Sequence, residues 1–317
     1  MALKIIVGDV TIGVQGKDFS YIFSTQTGGM ESLYREGKEW LYRTPKPAFW
    51  RAATDNDKGN GFAYKSAMWM GADAYVRCVK TEAWMDKNRI AVPLSPGNNS
   101  YSGREYCDIF QAKFTYEAPT VPKAEAEICY EVVENGDIHV QVRYSGKRDL
   151  PELPVFGMRF LMPTPAERFC YEGLSGETYP DRMAGGEPGV YEIKGLPVTP
   201  YLVPQDCGVH MQTKWVKVYR KLVLDNTRQP QKETCLRFWS GEEGFAFSAL
   251  PYTPLELENA THQEELPPVR RTVLSIFGAV RGVGGIDSWG ADVEPQYHIP
   301  ADQDIEYSFW IGGKESE

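Results

Sequence analysis

Apolar and polar residues alternate with a period of two along much of the chain, as expected for strands that each bury one face. Among the first residues, Ile5, Val7, Val10, Ile12 and Val14 fall in short alternating pieces. Gly8-Asp9, Gly16-Lys17, Gly28-Gly29 and Gly37-Lys38 punctuate them, which predicts a β-meander. Ile128, Tyr130 and Val132 face Ile138, Val140, Val142 and Tyr144 across Glu134-Asn135-Gly136-Asp137, a predicted hairpin in which Asn135-Gly136 suits a type I′ turn. Leu222-Leu224, Leu236-Phe238, Phe245-Phe247-Ala249 and Ile305-Tyr307-Phe309 predict further strands. Two segments break the alternation. Met68, Trp69, Ala72, Tyr75 and Val76 recur at helical spacing, and Thr253-Pro254-Leu255-Glu256-Leu257-Glu258 reads as a helical turn with a Thr cap and Pro in its first turn. With no repeat and no linker, the expectation is all-β: one large antiparallel β-sandwich over residues 1–317 with one or two short helices.

Composition narrows the function. Trp, Tyr and Phe number 8, 18 and 14 and are spread along the chain, which excludes disorder; 30 Gly and 22 Pro favour tight turns between strands. The net charge of -9, with no basic cluster to offset it, repels a phosphate backbone, so nucleic acid is not an expected partner. No apolar run approaches the ~20 residues needed to span a bilayer, so no membrane is expected either. Met1 to Gly8 alternates like a strand and lacks a signal-peptide core. Cysteines at 78, 107, 129, 170, 207 and 235 form no Cys-x-x-Cys pair. Free thiols in the cytoplasm are the expectation.

Familiar catalytic motifs fail one by one. Gly282-Val283-Gly284-Gly285-Ile286-Asp287 lacks the last Gly of a dinucleotide fingerprint. Asp55-Asn56-Asp57 begins like a calcium loop, but Ser66 stands where the bidentate Glu belongs. Gly173-Leu174-Ser175-Gly176-Glu177 is no nucleophile elbow, and His139, His210, His262 and His298 are not at ligand spacing, so no metal site is expected. Three turn-rich segments remain: Phe49 to Gly59, Tyr171 to Arg182, and Gly284 to Gly290. The first two read equally as capped turns held by ion pairs. In the third, Trp289 lies between glycine turns outside any alternating strand, and core packing, a protein interface and a ligand platform all remain open.

Taken in order, Trp50-Arg51 through Gly59, Glu177-Thr178-Tyr179-Pro180-Asp181-Arg182, Pro200-Tyr201-Leu202-Val203-Pro204-Gln205 and Asp287-Ser288-Trp289 resemble the small subunit of heterodimeric β-galactosidases of lactic-acid bacteria. That subunit is itself similar to the C-terminal domain of single-chain family 2 β-galactosidases, and the resemblance runs from about Ile5 to Phe309. It implies a β-supersandwich of the galactose mutarotase type. It also implies that both catalytic glutamates, nucleophile and acid/base, lie on a (β/α)₈ barrel of a large subunit, leaving no catalytic residue on this chain. Mg²⁺ and Na⁺ would sit mainly on that large subunit.

Carried over residue by residue, Trp289 matches an aromatic platform that stacks on galactose or the aglycone glucose. Gly59 matches the start of a mobile active-site loop, with Asn60 and Gly61, that runs to about Met68. Arg51, Asp55, Asn56, Asp57, Asp181 and Arg182 are expected as framework or interface. The expected function is completion of a large subunit's active site for retaining hydrolysis of terminal β-D-galactosides such as lactose. A free-standing carbohydrate-binding module using Trp289 is the rival from another class. An aldose epimerase is a third, and would need a converging acid and base such as His210 or His262 with a Glu.

Overall fold

The computed structural model describes residues 2–95, 102–224, 232–241 and 243–313. The N-terminal meander (Leu3–Val7, Thr11–Gln15, Phe19–Ser24, Gly29–Arg35) forms a six-stranded sheet with Lys38–Glu39 and Tyr106–Cys107 at its edges. A five-stranded sheet runs in the order Val209–Thr213, Phe245–Leu250, Thr272–Val280, Val155–Met162, Arg43–Ala48. The largest sheet has ten strands, ordered Pro188–Lys194, Arg168–Leu174, Trp215–Arg220, Thr234–Trp239, Ile305–Gly312, Ile138–Ser145, Ala124–Val133, Ile109–Ala118, Arg77–Met85, Asn88–Ile90.

Alternation explains the layering. The ten-stranded sheet turns Phe110, Phe114, Tyr130, Val140, Phe238 and Phe309 inward, all fully buried. Phe23 of the six-stranded sheet meets Phe110 with ring centroids 5.3 Å apart, and Phe160 of the five-stranded sheet meets Phe238 at 5.1 Å. Both smaller sheets therefore pack on one face of the large one, giving an all-β supersandwich. Each such side chain contributes roughly 1.5–3 kcal/mol on burial.

The Ala124–Val133 and Ile138–Ser145 strands form the expected hairpin, but its turn is not type I′. Gly136 alone has positive φ (82°) there, and its N–H donates to the Val133 carbonyl. This is a type I turn followed by a left-handed Gly, because Val133 pairs with Asp137 and leaves a three-residue loop of Glu134, Asn135 and Gly136, with Asn135 Oδ1 accepting the Asp137 N–H. Leu222 and Leu224 are also not in a strand; they follow Trp215–Arg220 as exposed loop residues.

Four short helices appear: α1 (Asp55–Gly59), α2 (Phe62–Lys65), α3 (Met68–Tyr75) and α4 (Pro254–Asn259). α3 and α4 fall where the sequence placed them; α3 buries Trp69 and Ala72, and Thr253 caps α4. α1 and α2 occupy ground expected to be irregular, and α1 forms because Thr54 and Asp57 complete a capping box. Among the described residues no helix is long and apolar enough to cross a membrane.

Trp239 and Trp310 face outward. Phe238 and Phe309 occupy the inward positions, and a period of two sends their neighbours to the other side. Trp215, Trp239, Trp310 and His139 are successive cross-strand partners on that outer face. The Trp310 ring lies 6.1 Å from Trp239 and 4.7 Å from His139, nearly parallel to both. Trp310→Ala is expected to destabilise the fold by about 2 kcal/mol in urea titrations, from two lost aromatic contacts plus buried area. A loss under about 0.5 kcal/mol would show that the stack contributes only surface cover.

Candidate functional site

Strand direction gathers the site. Arg43–Ala48 and Thr272–Val280 both pair antiparallel with Val155–Met162, so they run the same way and end together. The chain leaves the first at Phe49-Trp50-Arg51 and the second at Arg281, while Glu152 precedes the strand between them. Arg51 and Arg281 are buried, at 2% and 0% exposure, with Asp57 of α1 between them. Arg51 Nη2 lies 3.1 Å from Asp57 Oδ2, and Arg281 Nη1 lies 3.4 Å from Asp57 Oδ1. Arg51 also donates to the carbonyls of Arg281 and Gly282, each at 2.9 Å. Asp57 meanwhile accepts the Thr54 N–H, so one carboxylate holds two guanidiniums and a helix cap.

Tyr179 and Asp206 close the other side of Arg51. The Tyr179 hydroxyl donates to Asp206 Oδ2 at 2.8 Å, and the Arg51 guanidinium lies 5.8 Å from the Tyr179 ring centroid. Burial pushes the Asp206 carboxyl up to about 6, against the opposing pull of Arg51. Asp55 packs at the edge of this cluster: its N–H donates to Gln205 Oε1 at 2.7 Å, and its carboxylate accepts from Gln205 Nε2.

Asp181 fixes the loop beyond Arg281. Its carboxylate accepts the N–H of Val283 at 3.0 Å and of Gly284 at 2.7 Å. Arg182 donates to the Gly284 carbonyl and Asn56 Nδ2 to that of Val283. A Cβ on Gly282 would stand 2.9 Å from Asp181 Cγ, and Gly285 adopts φ +77° with only 2.8 Å to Asn56 Nδ2. Glycine at both positions lets the loop lie against its supports.

Trp289 projects from that loop with 93% of its surface exposed. Asp287 anchors it by accepting the N–H of Trp289 at 2.9 Å and of Ala291 at 3.1 Å. These bonds hold the Asp287 carboxyl below the usual carboxylate range. A Cβ on Gly290 would meet the Gly59 carbonyl at 3.0 Å, so the Trp289 loop lies directly on the end of α1. Asn60 Nδ2 donates to Asp292 across the same contact, Asn60 Oδ1 accepts the Phe62 N–H, and Gly61 turns the chain into α2 with φ +77°. All the positions singled out from sequence thus fall in one region.

Sequence reasoning missed Arg281, Asp292, Glu152, Asp206 and His298. Arg281 directly precedes the glycine run that was tested only as a nucleotide fingerprint, and a lone Arg leaving a strand was the available signal. His298 Nε2 donates to the Val293 carbonyl at 2.9 Å, and its Nδ1 lies 2.8 Å from the Glu152 carboxylate. Burial lowers its pKa, but the Glu152 carboxylate and the Val293 carbonyl together outweigh it and the net shift is upward. His210 is buried against Tyr171 and Phe247, which drives its pKa down to about 4, while His262 is exposed beside Glu265. The two imidazoles occupy separate surroundings. Among the described residues no group of three metal-ligating side chains stands together, and no disulfide joins the six cysteines.

A carboxyl whose pKa is raised by folding binds its proton more tightly in the native state. The stability it contributes therefore falls as pH climbs from about 4, the unfolded value, through about 6. Asp206→Asn removes that dependence and keeps an acceptor for Tyr179. Urea titrations at both pH values are expected to show a smaller loss across this window than in the unaltered chain, and an identical loss would contradict the assignment.

Comparison with known proteins gives a consistent picture. The model of the family described as beta galactosidase small chain matches residues 15–311. A β-galactosidase small subunit from Latilactobacillus sakei is 58% identical over 309 residues, covering 98% of this chain and 97% of that protein. A β-galactosidase from Halalkalibacterium halodurans is 36% identical over 315 residues, and the match spans 28% of its length. A solved putative aldose 1-epimerase from Escherichia coli K12 aligns over 98% of both chains at 10% identity with a TM-score of 0.45. The chain belongs to the β-galactosidase small-chain family.

Proposed function

We propose that this chain forms one wall of a β-galactoside site whose catalytic glutamates are carried by a separate large subunit. Together the two would hydrolyse terminal β-D-galactosides such as lactose with retention of configuration. The observation that carries this reading is Trp289: a large indole held by a well-bonded loop yet 93% exposed. A folded chain gains nothing in stability from such an arrangement, since the indole is left in water. Both faces of the ring are open to a sugar's C–H surface or to a protein partner. With the α1 end beneath it, the loop presents the indole at a fixed height, which is what positioning a galactosyl ring requires.

Ile286 is exposed on the Trp289 loop itself, and Tyr64 is exposed on α2, which follows the Asn60 turn tied to that loop. Exposed apolar side chains around the projecting indole suit a surface covered by another protein. The Gly59-Asn60-Gly61 turn borders Trp289 and is assigned the role of a gate. Open space surrounds the positions a Cβ would take on Gly59 and Gly61, and Gly61 supplies the left-handed backbone at which the turn would pivot. Arg51, Asp55, Asn56, Asp57, Asp181 and Arg182 act as the frame, because each is engaged by protein partners. Mg²⁺ and Na⁺ are assigned to the large subunit. The six thiols suit a cytoplasmic location.

Hydrolysis of o-nitrophenyl β-D-galactoside by this chain alone, by a large subunit alone, and by both co-expressed tests the division of labour. Full activity is expected only from the pair, and activity of this chain alone would overturn it. In the assembled pair, Trp289→Ala is expected to raise KM by about 5- to 150-fold, corresponding to roughly 1–3 kcal/mol. Unchanged kinetics would remove Trp289 from the site.

A further inference from the structure

We propose that Asp292 is a positioning residue that latches the Gly59–Gly61 turn to the Trp289 loop, so that the two segments engage galactoside as one unit. The inference rests on the reading of Trp289 given above and adds a residue that no sequence motif marks.

Three donors converge on one oxygen. Asp292 Oδ1 accepts from Asn60 Nδ2 at 3.1 Å, from its neighbour Val293 N–H at 2.8 Å, and from Arg281 Nη2. The Arg281 end is immovable: its side chain is fully buried, it pairs with Asp57, and its guanidinium lies 3.8 Å from the centroid of the Phe62 ring. Phe62 is the first residue of α2, and its N–H is capped by Asn60 Oδ1. Asn60 therefore uses its carbonyl to start α2 and its amide to hold Asp292. The turn and the Trp289 loop are joined through a side chain that sits on the buried guanidinium.

The latch is strong enough to order the turn and weak enough to release it. Asp292 keeps 43% of its side chain exposed, whereas Arg281 beneath it has none. Burial alone would raise the Asp292 carboxyl, but the hydrogen bonds from Arg281 and the Val293 N–H, with the charge of Arg281, together outweigh it and hold the group below the usual carboxylate range. The Asn60 bond is thus the outermost and most wetted link, and the one that opens first. When it opens, the turn loses its tie to Trp289 while Arg281 still holds Asp292 and the loop behind it.

The test uses this chain co-expressed with a large subunit and lactose as substrate. Asn60→Ala and Asp292→Ala are each expected to raise KM about 3- to 10-fold with kcat within about twofold, and the double variant should be no worse than the poorer single one. Asn60→Asp keeps an acceptor for the Phe62 N–H but loses the donor to Asp292, so it should raise KM as Asn60→Ala does. Hydrogen exchange should accelerate in both the Gly59–Gly61 turn and the Trp289 loop when Asp292 is truncated. Trp289→Ala serves as the control. If it raises KM while the Asn60 and Asp292 effects are absent or add independently, or while Asn60→Asp behaves as the unaltered chain, the latch is overturned and the Trp289 reading stands. If Trp289→Ala leaves KM unchanged, the reading of the site fails and the latch fails with it.

Discussion

The site depends on the cost of burying charge. Arg51 and Arg281 leave two strands that end side by side, and both guanidiniums lie out of water around Asp57. Stripping such ions of water costs several kcal/mol each unless close acceptors replace it. The replacements here are main-chain carbonyls at 281 and 282, the Asp57 cap of α1, and Asp292. Satisfying the two cations therefore dictates where α1 starts, how the 282–285 loop runs, and where the chain bearing Trp289 emerges. Removing the Arg51 guanidinium would take the donor from the carbonyls of 281 and 282 and one cationic partner from buried Asp57, a change of the kind that costs roughly 3–5 kcal/mol.

The consequence for function is a rigid base under an exposed tip. Side chains within the cluster are held by the sheet ends, while Trp289, Ile286 and the Gly59–Gly61 turn stand outside it. Rigidity below and exposure above is a workable design for a subunit that completes another chain's pocket. The indole arrives already oriented, so less ordering entropy is lost on binding. The catalytic carboxylates can then belong to the partner without loss of precision at the sugar.

Much of this was legible in the sequence, at the level of segments. Alternation located the strands, helical spacing located α3, and the Thr-Pro pair located α4. The order of the Trp50–Gly59, Glu177–Arg182 and Asp287–Trp289 segments marked the region that folds together. Pairings within it were not legible, because the bond from Arg51 to the Arg281 carbonyl spans 230 residues and nothing local announces it. Asp292 and Glu152 look like ordinary surface acids until Arg281 is placed between them. Which way Trp239 and Trp310 face was not legible from those residues alone, because an aromatic in a two-sided sheet can face either way, and Phe238 and Phe309 taking the core settles it. The α1–α2 segment read as loop since glycine and asparagine mask a capping box whose partner, Asp57, is also an ion-pair residue.

The most direct measurement is fluorine NMR of this chain with 5-fluorotryptophan, assembled with a large subunit and titrated with a non-hydrolysable galactoside, the Trp289 signal being assigned from Trp289→Phe. The account predicts that this resonance shifts and saturates with the ligand in the assembled pair and stays unmoved in the isolated chain. A Trp289 signal that ignores ligand in the active pair would contradict the central claim.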